Sequence, residues 1–256
     1  MFKAGEEKLS KCTGGMEMSE SIGTLKEMSY HRQLKYRLMP DPQFHEQRVG
    51  KYIADIRCGR EIIEIQTCGF YKLKEKLAYF LSEGYRVTVA YPVETVKWLL
   101  WVDPESGEVT RRKSPKKGSA SDLLREMYGI RELLGHPGLS FLMVTAQTEE
   151  TRLLNGWGKE QKKGAKRLER VPVKFLEETR YNRPEDFLSL VPRDLPEAFT
   201  VKDYIACAHL PKRNPRAGHD AVCVIEALGL AERAGNRGRA FLYRRTSMPA
   251  ATAGGS

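Results

Sequence analysis

The sequence predicts an α/β protein: a large mixed-sheet core followed by a smaller C-terminal domain. Two observations support this class. Segments with apolar residues at helical spacing alternate with short β-type runs, the order expected of a sheet covered by helices. The pattern then changes after Arg193, where shorter helix and hairpin signals begin. These changes predict a disordered N-terminus at 1–20, a first domain at 21–192, a second at 193–245 and a disordered tail at 246–256.

The first domain opens with a predicted helix over residues 21–38, which ends because Pro40 and Pro42 cannot continue it. Its other elements follow the same periodicity rules. They are β runs at 48–56 and 61–67, a helix at 70–84, strands near 86–91 and 97–102, a helix at 121–135 and a strand at 139–146.

Charge and motifs narrow the function classes. Lys and Arg number 43 against 33 Asp and Glu, a net charge of +10. An acidic partner is therefore expected. Nucleic acid, in particular duplex DNA, is the first candidate. No segment is apolar enough for a membrane span or a signal peptide, so a cytoplasmic protein with no membrane partner is expected; a homodimer is left open. The five cysteines lack zinc-type spacing, and nucleotide-binding, serine-hydrolase and zinc-protease motifs are missing.

The most informative feature is the position of the carboxylates on a predicted hairpin. If Gly59 and Arg60 form a two-residue turn, the indices of paired residues sum to 119, and Asp55 lies opposite Glu64. Strand alternation puts Gln66 on the face of Glu64. Like charges at opposed positions repel unless a cation lies between them, so the patch is a candidate Mg²⁺ site. The alternative is that these acids only line the solvent face of an edge hairpin.

The segment Asp55-x8-Glu64-Ile65-Gln66, preceded by a helix that carries Glu27 and followed by a lysine-rich helix, resembles the PD-(D/E)XK nuclease superfamily, the restriction-endonuclease-like fold. More narrowly, stretches such as GKYIADI, EIIEIQT and KWLLWVDPESGEV are similar to a family of uncharacterised bacterial proteins, and the likeness covers most of the chain. The resemblance implies metal-dependent phosphodiester cleavage. Asp55 and Glu64 would be the two metal-binding acids, and Glu27 the acid often found on the first helix.

The resemblance departs from the superfamily pattern at Gln66, which occupies the usual lysine position. Glutamine can orient a water but supplies no full charge, and Lys72 or Lys76 of the next helix are possible substitutes or a merely solvated face. The implied mechanism uses Mg²⁺ (or Mn²⁺) held by Asp55, Glu64 and the Ile65 carbonyl, with Gln66 positioning the attacking water. Glu27 would hold a second metal through water, or else it only favours the helix dipole.

The C-terminal segment has its own signals. Thr200 and Asp203 have capping-box spacing for one helix, and Asn214 followed by Pro215 marks the start of a second, which Gly229 ends. With the hairpin that follows, this order resembles a winged helix-turn-helix. DNA contacts are then expected from Lys212, Arg213, Asn214, Arg216, Arg237 and Arg239. Asp220 and Glu226 on the same helix would repel phosphates, and a protein-interaction or dimerisation module is the alternative.

Two basic loops add positive charge to the first domain. One combines Arg111, Arg112 and Lys113 with Lys116 and Lys117, and the other spans 159–167. Such loops are usually only solvated, but beside a phosphodiesterase site they are candidates for tracking a nucleic-acid backbone. The sequence therefore predicts a metal-dependent nuclease with a C-terminal DNA-binding module. The alternative is a non-catalytic DNA-binding or regulatory protein built on a decayed nuclease fold.

Overall fold

A computed structural model describes residues 30–154, 166–210 and 215–246. The first helix, α1, spans Tyr30–Leu38 and ends before the two prolines as expected; residues 21–29 of the predicted helix lie outside the described residues. The other helices are α2 at Lys74–Ser82, α3 at Ser121–Met127, α4 at Val201–Cys207 and α5 at Pro215–Ala227. Short 3₁₀ segments lie at Pro42–Phe44, Phe70–Leu73, Tyr128–Leu133 and Pro184–Leu190.

The ten strands of the described residues form two sheets. The large mixed sheet has the order β1-β2-β3-β4-β6-β7, with β5 paired to β4, and the small sheet has the order β8-β10-β9. An α/β class is thereby confirmed. The strands are β1 His45–Val49, β2 Tyr52–Cys58, β3 Glu61–Ile65, β4 Arg86–Val102, β5 Val109–Lys113, β6 Leu139–Leu153, β7 Lys166–Tyr181, β8 Ala198–Phe199, β9 Ala231–Arg237 and β10 Ala240–Arg245.

The chain divides into two compact units. Unit 1 comprises the described residues within 1–67, 89–119 and 143–179, and unit 2 comprises those within 68–88, 120–142 and 180–256. The core of unit 1 lies where α1 packs against β3, and it includes fully buried Leu34, Ala54 and Ile56. The core of unit 2 is aromatic: Phe70 stacks on Phe141, with ring centroids 6.3 Å apart.

The hairpin at Gly59 and Arg60 is confirmed, because Ile56 pairs with Ile63 and Cys58 with Glu61. The single β run predicted over 48–56 is wrong. Val49 pairs with Tyr52 across a second two-residue turn, in which Gly50 has φ +57°. A left-handed residue suits the tight turns that join antiparallel strands, and glycine adopts it without steric cost.

Two further expectations about the first domain are wrong. The strands predicted near 86–91 and 97–102 are one continuous strand, β4. Its neighbour changes along its length. The Ala90 carbonyl accepts the Gln66 N–H at 3.0 Å, whereas residues 98–102 pair with β5. The helix predicted over 121–135 breaks after Met127 and becomes 3₁₀, with Ile130 at φ −127°. The close approach of the Tyr71 backbone explains the break, since a Cβ on Gly129 would lie 2.7 Å from Tyr71 N.

The C-terminal segment folds as a strand, two helices and a hairpin. The Thr200 and Asp203 capping box is confirmed, and Gly229 follows α5 with φ +72°. The two helices approach closely at Gly218, where an added Cβ would lie 2.3 Å from Ile205 Cγ1. The boundary at Arg193 stays a prediction. The structure adds that residues 193–246 belong to unit 2, in which α5 packs against α3 and the 3₁₀ segment Tyr128–Leu133.

Every helix within the described ranges is too short or too polar to cross a bilayer.

Candidate functional site

The site is built on the β2–β3 hairpin of unit 1, which brings the side chains of Asp55 and Glu64 together. The Asp55 N–H donates to Glu64 Oε1 at 3.3 Å, and the Ile65 N–H donates to Asp55 Oδ2 at 2.8 Å. Glu64 is only 2% exposed. Each carboxylate is thus held by the neighbouring strand's backbone, which fixes the orientation of both acids.

Helix α1 adds two basic side chains to these acids. His31 Nε2 lies 3.4 Å from Asp55 Oδ2, and Lys35 Nζ lies 3.6 Å from Asp55 Oδ1. The Lys35 side chain is 7% exposed, which is unusual because lysine is almost never fully buried without a charged partner. His31 and Lys35 are one helical turn apart and therefore point to the same face of α1.

A third acid comes from β1. The pairs His45–Ile56 and Gln47–Ala54 bracket Glu46 and Asp55, so these two acids occupy opposed positions. The Glu46 carboxylate accepts a hydrogen bond from Lys35 Nζ. Glu46 also has φ +50°, a left-handed conformation that costs a residue with a side chain on the order of 1–3 kcal/mol and is concentrated at functional sites. We call Glu46, Asp55, Glu64, Lys35 and His31 the hairpin site.

Asp55 is kept ionised by its neighbours. Burial alone would raise the pKa of the Asp55 carboxyl, but the hydrogen bonds from His31 and the Ile65 amide, helped by the charge of Lys35, outweigh it and hold this pKa below its usual value. Asp55 therefore carries a full negative charge at neutral pH, as a metal ligand requires.

The donor set of the hairpin site fits a hard divalent cation in part. The site holds three carboxylates and one lysine, and Lys35 contacts two of the carboxylates, those of Glu46 and Asp55, so acidic groups outnumber the lysine. No group of three or more metal-ligating side chains has suitable geometry within residues 30–154, 166–210 and 215–246. Two adjoining carboxylates are nevertheless what the protein commonly contributes to Mg²⁺, whose remaining ligands are water and substrate phosphate. Asp55 and Glu64 are the two adjoining carboxylates that the β2–β3 hairpin offers.

The other predicted residues of this site have different outcomes. Gln66 is half-buried, two residues after Glu64, and its backbone N–H bonds to β4. Glu27 lies outside the described residues. Lys72 Nζ lies 5.8 Å from the ring centroid of Tyr71, and Lys76 Nζ lies 5.8 Å from that of Phe80.

Sequence reasoning missed Lys35 and Glu46, although a signal existed for each. Glu27, His31 and Lys35 repeat every four residues, a spacing that predicts one shared helix face for all three. A turn at Gly50 would have given pairs whose indices sum to 101, with Glu46 opposite Asp55. The hairpin site therefore contains a lysine, Lys35 of α1, although position 66 carries an uncharged glutamine.

The residues predicted to contact DNA are placed unevenly. Lys212, Arg213 and Asn214 lie outside the described residues. Arg216 is 81% exposed and lies 3.7 Å from Asp220. Arg237 donates to Asp203 at 3.2 Å and to the Ala198 carbonyl, and Arg239 is exposed at the hairpin tip. Lys116 and Lys117 are exposed on the loop after β5.

The two acids expected to repel phosphates are both paired. Asp220 is buried and lies 3.4 Å from His219 as well as close to Arg216, and Glu226 lies 3.9 Å from Arg233. Their negative charges are compensated within unit 2, which weakens the objection to a DNA contact along α5.

A second buried charge network lies on β4, β6 and β7 of unit 1. Its centre is Glu150, whose side chain is 2% exposed and is contacted by three cations. Arg152 lies at 2.5 Å, Arg170 at 3.1 Å and Lys97 at 3.3 Å. Glu94 bonds to two of the same cations. Burial would raise the pKa of the Glu150 carboxyl, but Arg152 and Lys97 lower it overall.

Comparisons with known proteins add a family and a relative. The family described as Domain of unknown function (DUF8091) matches residues 28–182, a range that contains the whole hairpin site. An uncharacterized protein of Treponema pallidum (strain Nichols) is 26% identical over 232 residues, which cover 88% of this chain and 88% of the relative. No solved structure matches the chain.

Proposed function

This chain belongs to the family described as Domain of unknown function (DUF8091), and we propose that the protein is a metal-dependent nuclease that hydrolyses phosphodiester bonds of nucleic acid, with duplex DNA as the expected substrate. The observation that carries the proposal is the buried ammonium of Lys35 beside the Asp55 carboxylate, which adjoins that of Glu64. Two adjoining acids with a lysine beside one of them combine the two charges that phosphodiester cleavage needs, one to hold a metal and one to stabilise a phosphate.

Each side chain of the hairpin site has a role in this proposal. Asp55 and Glu64 would hold Mg²⁺ or Mn²⁺, which would act as a Lewis acid on the scissile phosphate and lower the pKa of the attacking water. Lys35 supplies the positive charge that Gln66 lacks. His31 and the Ile65 amide fix the Asp55 carboxylate. Gln66 orients the attacking water.

The order of the C-terminal elements supports a DNA-binding role for that segment. β8, α4, α5 and the β9–β10 hairpin follow each other, and the third strand lies between the other two, as in a winged helix-turn-helix. Of the C-terminal cations expected at the DNA, Arg216, Arg237 and Arg239 are exposed within the described residues, and Arg237 is also bonded to Asp203.

We expect Glu64→Ala to abolish Mg²⁺-dependent nicking of supercoiled DNA, because it removes a direct ligand, and Gln66→Ala to leave a reduced but measurable rate, because it only misaligns the water. The assay compares Mg²⁺ with EDTA for each purified variant. Since Glu64 is buried, Glu64→Gln, which keeps its shape, serves as the second variant and is expected to be as inactive. Equal, negligible effects of the Glu64 and Gln66 changes on a demonstrated activity would place the chemistry elsewhere.

One observation favours a second candidate, a non-catalytic DNA-binding or regulatory protein on a decayed nuclease fold. The Asp55 carboxylate already has three partners, Lys35, His31 and the Ile65 amide, as an internally neutralised structural acid would. The same assay separates the two candidates: DNA binding with no metal-dependent nicking supports the second.

A further inference from the structure

A strongly basic surface lies on the β4–β5 hairpin of unit 1, apart from the side chains of the hairpin site. β5 and the loop after it carry five cations: Arg111, Arg112, Lys113, Lys116 and Lys117. Arg111 is paired with Glu149 at 2.9 Å. Within the part of the chain that the structure describes, the other four have no carboxylate within 4 Å. We call these five residues the basic hairpin surface.

The loop at the end of this surface is built into the sheet, not merely solvated. The Ser114 N–H donates to the Lys97 carbonyl and the Gly118 N–H to the Glu94 carbonyl, both at 2.8 Å. Ser114 is buried, and its Oγ accepts the Lys116 N–H at 3.2 Å. An added Cβ on Gly118 would lie 3.0 Å from Val93, so glycine permits this close approach. Both ends of the loop are thereby fixed, and Lys116 and Lys117 are presented from a defined backbone.

The arginines of the surface are also ordered, by tryptophans of β4. The Arg111 guanidinium lies 3.8 Å from the ring centroid of Trp98. Arg112 lies 5.6 Å from that of Trp101, and Arg152 lies 5.3 Å from the same ring. A guanidinium held over an aromatic ring loses less conformational freedom when it binds an anion, because part of that freedom is already lost.

We propose that the basic hairpin surface binds the phosphate backbone of the nucleic-acid substrate. Several cations without carboxylate partners, on a backbone fixed at both ends, match the evenly spaced charges of a phosphodiester strand. The surface contributes affinity and register, not base reading, since its cations are Lys and Arg on an exposed strand and loop. The inference rests on the proposed function in that its ligand is a nucleic acid.

The test compares two triple variants with equal loss of charge. Lys113, Lys116 and Lys117 are replaced by alanine in one, and three exposed cations elsewhere, Lys51, Lys174 and Arg180, in the matched control. Binding of a short labelled DNA duplex, and of its single strand, is measured by fluorescence anisotropy at several salt concentrations. EDTA is present, so that metal-dependent cleavage cannot affect the readout.

The basic-surface variant is expected to bind about ten- to a hundredfold more weakly, and its log–log salt slope to fall by about 0.9 for each phosphate that its side chains no longer neutralise. The control is expected to stay close to the wild type. Equal losses in the two variants would show an effect of net charge alone and overturn the inference, as would an unchanged slope. If the wild type binds DNA and the basic-surface variant binds equally well, this inference is overturned but the proposed nuclease function is not. If the wild type binds neither the duplex nor the single strand, both the inference and the proposed function are overturned.

Discussion

Replacing Lys35 by methionine is expected to lower metal-dependent cleavage by about a hundred- to a thousandfold, the effect of removing a preorganised group that stabilises transition-state charge. Methionine fills the space of the buried lysine stem but has no charge. The rate of DNA nicking is the measurement. A second readout is independent of activity: the pKa of the Asp55 carboxyl should rise, because Lys35 helps to hold it down, and NMR titration of that carboxyl records the change.

Arg37→Met is the matched control for this change. Arg37 lies on the same helix but is exposed and pairs with Glu178 at 3.0 Å, so its loss should leave cleavage nearly unchanged. In the Lys35→Met background, Gln66→Lys should restore part of the rate, because it returns an ammonium to the position that the nuclease resemblance assigns. Equal cleavage rates for Lys35→Met and Arg37→Met would show that Lys35 has no role in cleavage.

The largest expected loss of stability comes from Glu150→Ala. The substitution removes the buried carboxylate that Arg152 shares with Lys97 and Arg170, of which the last two keep Glu94 as a partner. Breaking a buried pair costs about 3–5 kcal/mol in the free energy of unfolding. Urea denaturation measures it. The neighbouring Glu149 is the control, since it pairs with Arg111 nearer the surface and its replacement should cost about 0–1 kcal/mol. A cost for Glu150→Ala no greater than for Glu149→Ala would show that the cations are satisfied without it.

The same carboxylate makes stability depend on acidity. Because the pKa of Glu150 is lower in the folded protein than in the unfolded chain, its contribution is complete above the usual glutamate pKa and is lost as the pH falls through the folded value. Glu150→Gln should therefore flatten the acid limb of the curve of unfolding free energy against pH. An identical acid limb in the two proteins would contradict this assignment.

The part of the site that sequence could predict depends on short-range geometry. A two-residue turn at Gly59 fixes the register of β2 and β3, and strand alternation then decides which acids adjoin. The two helix-end signals of the C-terminal segment, at Thr200 and Gly229, are local in the same sense. Such features need no knowledge of what packs above the sheet.

The cation of the site depends on tertiary packing instead. The spacing from His31 predicts the helix face of Lys35, but only the packing of α1 on β3 buries this lysine beside Asp55. Glu46 was hidden by the unrecognised turn at Gly50, and the break in the helix at Gly129 depends on the distant backbone of Tyr71. In each case the decisive contact comes from a residue far from the local pattern.

Asp55 and Glu64 are proposed to bind a divalent cation together, and electron paramagnetic resonance of Mn²⁺ measures that binding. We expect the wild-type chain to remove free Mn²⁺ from solution, Asp55→Asn not to do so, and Glu149→Gln to bind as the wild type does. Binding that is equally strong in Asp55→Asn, or that is missing from the wild type, would contradict the claim and favour the internally neutralised site of the non-catalytic alternative.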